Sequence, residues 1–299
     1  MKFGQVSELE LANLKFKLPA DAPATAHLLG KSGKTTKPDI YIGCPVYADR
    51  GFVGKIYPRG TRSQDYLKVY CQQFNALELN STLYTFPSQD SVKKWLEAAT
   101  PGFKFCPKFP NRISHSKNLL DRIELAHAFY DAIKVLGKHL GLTFLQLPPN
   151  FSPKKVEMMI RFIQELPKDF KIAVELRHPE WFEDNMKNEV LDIFEKLGVT
   201  SIITDVPGRR DVLHQRLTTS TAFIRFTGAN LHPTDYSRVD EWINKLMLWF
   251  DLGLETVYFF HHEPDDKSLS STIAAYMIEK LNEKTDFNVK IPSLLETKQ

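Results

Sequence analysis

Eight short apolar runs, separated by stripes of helical period, constrain this chain more than any other feature of its sequence. The runs are DIYIGCP (39–45), NALELNST (75–82), GFKFCPKFP (102–110), GLTFLQLPP (141–149), KIAVELRHP (171–179), VTSIITDVPG (199–208), TAFIRFTGAN (221–230) and TVYFFHHEP (256–264). Each has the length and near-continuous apolar character of a strand buried on both faces. Between them, apolar residues recur at helical spacing. Val92, Trp95, Leu96 and Ala99 follow Ser88, a capping residue. Leu125, Ala128, Phe129, Ala132 and Leu136 stop at Gly137, and Val190, Leu191, Phe194 and Leu197 stop at Gly198. Val239, Trp242, Ile243, Leu246 and Phe250 run toward Gly253, and Ile273, Tyr276, Met277 and Leu281 close the series. The stretch 63–74 is a reasonable helix, whereas 209–219 has only a weak helical pattern.

Strands that alternate with helices are parallel and joined by right-handed crossovers. Eight such units predict an α/β fold, a single (β/α)8 barrel over 39–284. An open doubly wound sheet is the competitor, but the first strand runs into GCPVYADRGFVG without the GxGxxG turn of nicotinamide sites. Flavin has no fingerprint either. Residues 1–38 are rich in Ala, Gly, Thr, Lys and Pro and read as an N-terminal extension; 285–299 read as a tail. GKSGKT (30–35) lacks the GxxxxGK[ST] spacing and a preceding strand, so it is not read as a phosphate loop.

Composition narrows the class. With 39 basic and 36 acidic residues the net charge is +3, which gives no support to a generic nucleic-acid binder. Cys44, Cys71 and Cys106 are odd in number and lack CxxC spacing, the usage of a reducing compartment without zinc or iron–sulfur sites. The first residues include acidic side chains and no continuous apolar segment of signal length. No run approaches the roughly 18 apolar residues of a membrane span. A cytoplasmic location with no membrane partner is expected; oligomeric state and cofactor are not legible, though a divalent metal would find donors.

In a barrel the C-terminal strand ends converge on one mouth, where sites lie. Polar residues enter the runs there. They are Glu78, Asn80 and Tyr84 in the second unit; Lys108, Arg112 and His115 in the third; and Gln146 in the fourth. Glu175, Arg177, His178 and Trp181 follow in the fifth, Asp205 in the sixth, Arg225 in the seventh, and His261, His262 and Glu263 in the eighth. Several have a purely structural reading. Glu175 and Arg177 share a strand face and can be an internal salt bridge; Glu78 can pair with Lys108 or Arg225. Trp181, Tyr47 and Tyr84 can cap the core, and Cys44 and Cys106 suit small core residues. Adjacent residues of a strand point to opposite faces, so at most two of His261, His262 and Glu263 face one metal. Unpaired burial of so many charges would cost several kcal/mol each, so the set is paired, hydrated or facing a ligand.

The stretches IYIGCPVY, FNALELNSTLYTFPS, FKFCPKFPNRISH, LGLTFLQLPPNF, IAVELRHPEWF and FIRFTGAN resemble the YecE-like family, domain of unknown function 72, in order and spacing over roughly 40–280. The resemblance implies a TIM-type barrel and no established activity. It implies that the family's polar positions fall on Glu78, Asn80, Ser81, Tyr84, Lys108, His115, Gln146, Glu175, Arg177, His178, Trp181, Asp205, Arg225 and Gly228. Two stretches depart from the family pattern: Cys44-Pro45-Val46-Tyr47 after the first strand, and the His261-His262-Glu263 end of the eighth.

The expected function is an enzyme, a hydrolase or lyase, acting on a small phosphate- or carboxylate-bearing substrate. Glu78, Glu175, Lys108 and Asp205 are the catalytic candidates. Asn80, Tyr84, Arg112, His115, Gln146, Arg177, His178, Trp181 and Arg225 are the binding candidates. Metal-dependent phosphodiester hydrolysis on nucleic acid is one alternative, with Glu78, Glu175, His178, Asp205, His261 and Glu263 as ligands and Lys117, Arg209 and Arg210 on phosphates. An anion-binding protein without catalysis is another.

Overall fold

A computed structural model describes residues 3–30 and 33–294, so Lys31 and Ser32 of GKSGKT and the last five residues of the tail lie outside the described residues. The strands are β1 (Asp39–Cys44), β2 (Ala76–Leu79), β3 (Lys104–Pro107), β4 (Thr143–Gln146), β5 (Ile172–Glu175), β6 (Thr200–Asp205), β7 (Thr221–Thr227) and β8 (Thr256–His262). They run in the order β3-β2-β1-β8-β7-β6-β5-β4, every pair parallel. Isolated bridges at Phe105–Leu140 and Lys108–Phe144 close the seam between β3 and β4. The fold is an α/β TIM-like barrel.

Outer helices follow the strands: α1 (Tyr66–Gln73), α2 (Gln89–Ala98), α3 (Ile123–Ile133), α4 (Val156–Gln164), α5 (Asp184–Leu197), α6 (Pro233–Leu252) and α7 (Ser270–Lys284). Ser88 caps α2 by accepting from the Ser91 amide, and Gly198 and Gly253 end α5 and α6 in left-handed conformation. The stripes read from sequence pass over α4, although Met159, Phe162 and Ile163 mark its inner face.

Between β6 and β7 the described residues form only a short 3-10 turn at Arg210–Val212. Buried extended chain follows, and the N-terminal extension docks on it through its helix Pro23–Leu29. Thr25 Oγ1 donates to the Gln215 carbonyl at 2.9 Å and accepts from the Leu217 amide at 3.0 Å. Asp21 accepts from Lys245 and Trp249 of α6. The extension is thus part of the packed structure, and the weak helical pattern at 209–219 has its cause: that stretch bonds to the extension instead of coiling.

Strand parity sets everything that follows. Ala76, Cys106, Phe144, Ala173, Ile202, Phe223, Tyr258 and Phe260 form their own buried cluster, the filling of the barrel. Their strand neighbours pack outward into the larger core with the helices. Two residues further along the inward face come Glu78, Lys108, Gln146, Glu175, Thr204, Arg225 and His262. A polar layer therefore sits directly on an aromatic floor. Lys108 Nζ and the Arg225 guanidinium lie 5.7 and 5.6 Å from the Phe144 ring centre.

Candidate active site

Arg225 is the hub of the layer. Its Nε and Nη2 grip both oxygens of Glu78 at 2.9 Å, a bidentate pair, and its Nη1 reaches Glu175 Oε2 at 2.7 Å. Glu78 Oε1 also accepts from Asn80 Nδ2 at 2.8 Å, and Oε2 lies 3.0 Å from His262 Nε2. Glu175 accepts from Arg177 Nε at 2.6 Å and from Gln146 Nε2 at 2.7 Å. Gln146 is fixed in turn by Lys108, whose Nζ donates to its Oε1 at 2.8 Å. The two-residue spacing puts Glu175 and Arg177 on one face, and in the structure Glu78, Lys108, Gln146, Glu175, Arg177 and Arg225 meet in one network.

The electrostatics are lopsided. Burial by itself would raise both glutamates. Arg225 and then His262 outweigh it at Glu78, whose carboxyl is held well below the usual range; Arg177 and then Arg225 bring Glu175 to about 2. Lys108 moves the other way. Burial, with the charge of Arg225 second, lowers it to about 8. Among the described residues no carboxylate bonds to its ammonium: Glu78 and Glu175 act on it only from a distance, and its bonded partner is the neutral Gln146 amide. The layer thus holds Lys108, Arg177 and Arg225 against Glu78 and Glu175, one positive charge more than the carboxylates balance. Lys108 and Gln146 are 6% and 7% exposed, almost as buried as the carboxylates they accompany.

Around the layer stand residues of the loops. Tyr84, 78% exposed, borders a cavity of about 390 Å3 together with Glu78, Asn80, Arg225 and His262. Arg112 and His115 are exposed on the loop after β3. Partial desolvation lowers His115, helped by the charges of Lys108 and Arg177, which places it over the basic side of the mouth. His178 Nδ1 accepts from the Glu180 amide at 3.3 Å, capping the turn Pro179–Phe182.

Three expectations are corrected. Asp205 does not join the layer: it points behind the sheet, where its carboxylate accepts from Arg238 Nη2 at 2.6 Å, Trp242 Nε1 at 2.7 Å and Arg210. Burial raises its pKa, but Arg238 and Arg210 overcome that and lower it. Its neighbour Thr204 takes the inward position, and the Thr204 hydroxyl is buried without a partner among the described residues. Trp181 is not a mouth residue. It is 1% exposed, its indole N–H donating to the Phe151 carbonyl at 2.6 Å, which makes it a core anchor of its turn. His261, a metal candidate at the end of β8, does not face the mouth. His261 faces α7, with Nε2 3.3 Å from Met277 sulfur, and burial lowers it to about 3, while His262 faces Glu78. Among the described residues no group of three or more His, Cys, Asp or Glu is gathered for a metal.

Other features had weaker signals. Arg209 and Arg210, expected on phosphates, are engaged with Asp211 and Asp205. Phe3, from the extension, lies over the guanidiniums of Arg177 and Arg209, with ring centres 4.3 and 4.7 Å away; its composition-poor segment gave no hint of that. Cys44 is fully buried and burial pushes its thiol up to about 12, the behaviour of a packing residue. Among the described residues no helix is long and apolar enough to cross a membrane.

Known proteins share both sequence and barrel. The family described as "Protein of unknown function DUF72" matches residues 41–296. The UPF0759 protein YecE of Escherichia coli K12 is 30% identical over 246 residues, 76% of this chain and 87% of YecE. YunF of Bacillus subtilis is 25% identical over 203 residues, 64% of this chain and 71% of YunF. A crystal structure of a DUF72 family protein from Thermotoga maritima superimposes with a TM-score of 0.64 at 23% identity, over 82% of this chain and 99% of that one. One from Enterococcus faecalis gives 0.66 at 17% identity, over 83% and 99%. These solved structures bear on the fold alone, whereas the match over 41–296 makes the chain a member of the DUF72 family of YecE-like proteins.

Proposed function

We propose that this protein is an enzyme that binds a small phosphate- or carboxylate-bearing substrate at the C-terminal barrel mouth and moves a proton on it with Lys108. The observation that carries this reading is the uncompensated ammonium of Lys108. A buried cation whose bonded partner is a neutral amide gains most from an anion arriving beside it. Arg177, bonded into the same network through Glu175, adds to the attraction.

Glu78 and Glu175 suit a supporting role better than the catalytic role expected above. Glu78 receives four donors and Glu175 three, and both carboxylates are held strongly ionised. A carboxylate so satisfied is a weak base, but it holds Arg225 and Gln146 rigidly. Lys108, lowered to about 8 yet mostly charged at pH 7, is a stronger acid than an ordinary lysine. Held beside the anion, the ammonium donates its proton to the leaving-group oxygen as the bond to that oxygen breaks and its electron pair departs with the leaving group. In a hydrolase, water attacks the centre left behind and loses its proton to solvent; in a lyase, a substrate C–H bond gives its proton to solvent and its electron pair to the new double bond. The metal-dependent alternative lacks support from this geometry, since Asp205 and His261 lie behind the sheet.

The test is a thermal-shift screen of phosphorylated and carboxylated metabolites on wild type and Lys108→Met. Stabilising compounds that lose their effect in the variant sustain the reading. Compounds that stabilise both proteins equally would remove Lys108 from the site.

A further inference from the structure

A second cavity, about 560 Å3, lies beside the first under the N-terminal extension, and His262 and Glu263 border both. Its roof is the segment Phe3–Leu11. The roof is tied down where the Gly4 carbonyl accepts from the Gly208 amide at 3.0 Å and where Gln5 Nε2 donates to Asp265 at 3.1 Å. The polar character of this cavity is opposite to that of the Lys108 side. Glu8, Glu263 and Asp265 line it, and among the described residues neither lysine nor arginine does.

Glu263 is the unusual member. It is 5% exposed, and Oε2 accepts from the Asn230 amide at 2.7 Å, while Oε1 is buried without a partner among the described residues. The backbone is shaped to hold this carboxyl. A Cβ on Gly228 would lie 2.3 Å from Oε1 and push the carboxyl aside, and Asn230 and Leu231 of the same loop take positive φ. A carboxyl that has been given space but one donor too few points to a ligand that brings the donor.

We propose that this cavity binds the primary ammonium group of the substrate whose anionic group meets the Lys108 side, so that the substrate class is a small zwitterion such as an amino phosphate or amino acid. The proposal rests on the anion reading above for one pole and on Glu263 for the other. Burial, and after it the nearby Asp235, raises Glu263 to about 8 in the empty protein. Asp266 adds to this, while the Asn230 amide and Arg238 act against it; His262 and Asp265 also border the carboxyl. An ammonium group placed against Oε1 would reverse the balance, so binding at pH 7 releases a proton from Glu263.

Calorimetric titration of the full chain with 3-aminopropyl phosphate, propyl phosphate and propylamine tests both poles. The expected result is that 3-aminopropyl phosphate binds at least about tenfold more tightly than either half-molecule. Glu263→Gln, which mimics the neutral carboxyl and so preserves the fold, removes that gain and the proton release, and leaves propyl phosphate binding unchanged. Equal binding of 3-aminopropyl phosphate by wild type and Glu263→Gln would overturn the proposal. If propyl phosphate binding is instead indifferent to Lys108→Met, the anion reading fails. Propylamine then decides the second pole alone: loss of its binding in Glu263→Gln sustains the ammonium cavity, and no loss overturns it.

Discussion

The two faces of the same strands carry similar ion clusters with different consequences. Behind β6, Asp205 is enclosed by Arg238, Arg210 and Trp242, and the sheet and α6 cover it completely. Inside the barrel, Glu78 and Glu175 are just as buried and as fully bonded, yet their cluster includes Lys108, which Glu78 and Glu175 favour only from a distance and whose bonded partner is a neutral amide. The rear cluster satisfies its Asp205 carboxylate, although Arg238 Nε is buried without a partner among the described residues. The front one is complete for its carboxylates and incomplete for one cation, and it borders a cavity. Buried charge alone therefore does not mark a site; what separates the two clusters is the excess cation and the cavity beside Glu78 and Arg225.

The largest expected effect comes from breaking the front hub. Arg225→Met strands two buried carboxylates and should cost about 3–5 kcal/mol in denaturant unfolding. A loss below about 1 kcal/mol would mean that the network does not hold the mouth together. At the rear, Asp205→Asn weakens charge-assisted bonds from Arg238 and Arg210 and should cost about 1.5–3 kcal/mol. Phosphate affinity should not change in that variant; a change would return Asp205 to the site.

Smaller effects come from pH. Lys108 is lowered from 10.5 to about 8 in the fold, so the unfolded chain holds more protons between those values and stability rises with pH across that window. Glu263 is raised from 4.5 to about 8, so the folded protein holds more protons and stability falls as pH rises between those values. Chemical denaturation across pH should show the lower slope flattened by Glu263→Gln and the upper slope flattened by Lys108→Met. Unchanged slopes would place these groups in ordinary solvent.

Much of this was legible in the sequence. Eight apolar runs in alternation with helical stripes suffice for the barrel, because the run length and the Gly stops are local signals. Two-residue spacing suffices to put Glu175 with Arg177, since a strand's period does not depend on its partners. The choice between neighbours was not legible. Strands buried on both faces are apolar on both, so nothing in SIITD tells Thr204 from Asp205, and nothing in FFHHE tells His261 from His262. Trp181 lies beyond the strand, where a turn rather than the strand period sets direction. The docking of Phe3 on Arg177 depends on contacts far apart in sequence, which composition does not encode.

The most direct test follows the Lys108 ammonium by NMR, in protein labelled at lysine side chains, through a pH titration with and without saturating inorganic phosphate. The free protein should show Lys108 titrating near 8, and phosphate should move it upward, because a bound anion supplies the missing charge. A titration point that phosphate leaves where it was would contradict an anion site at Lys108.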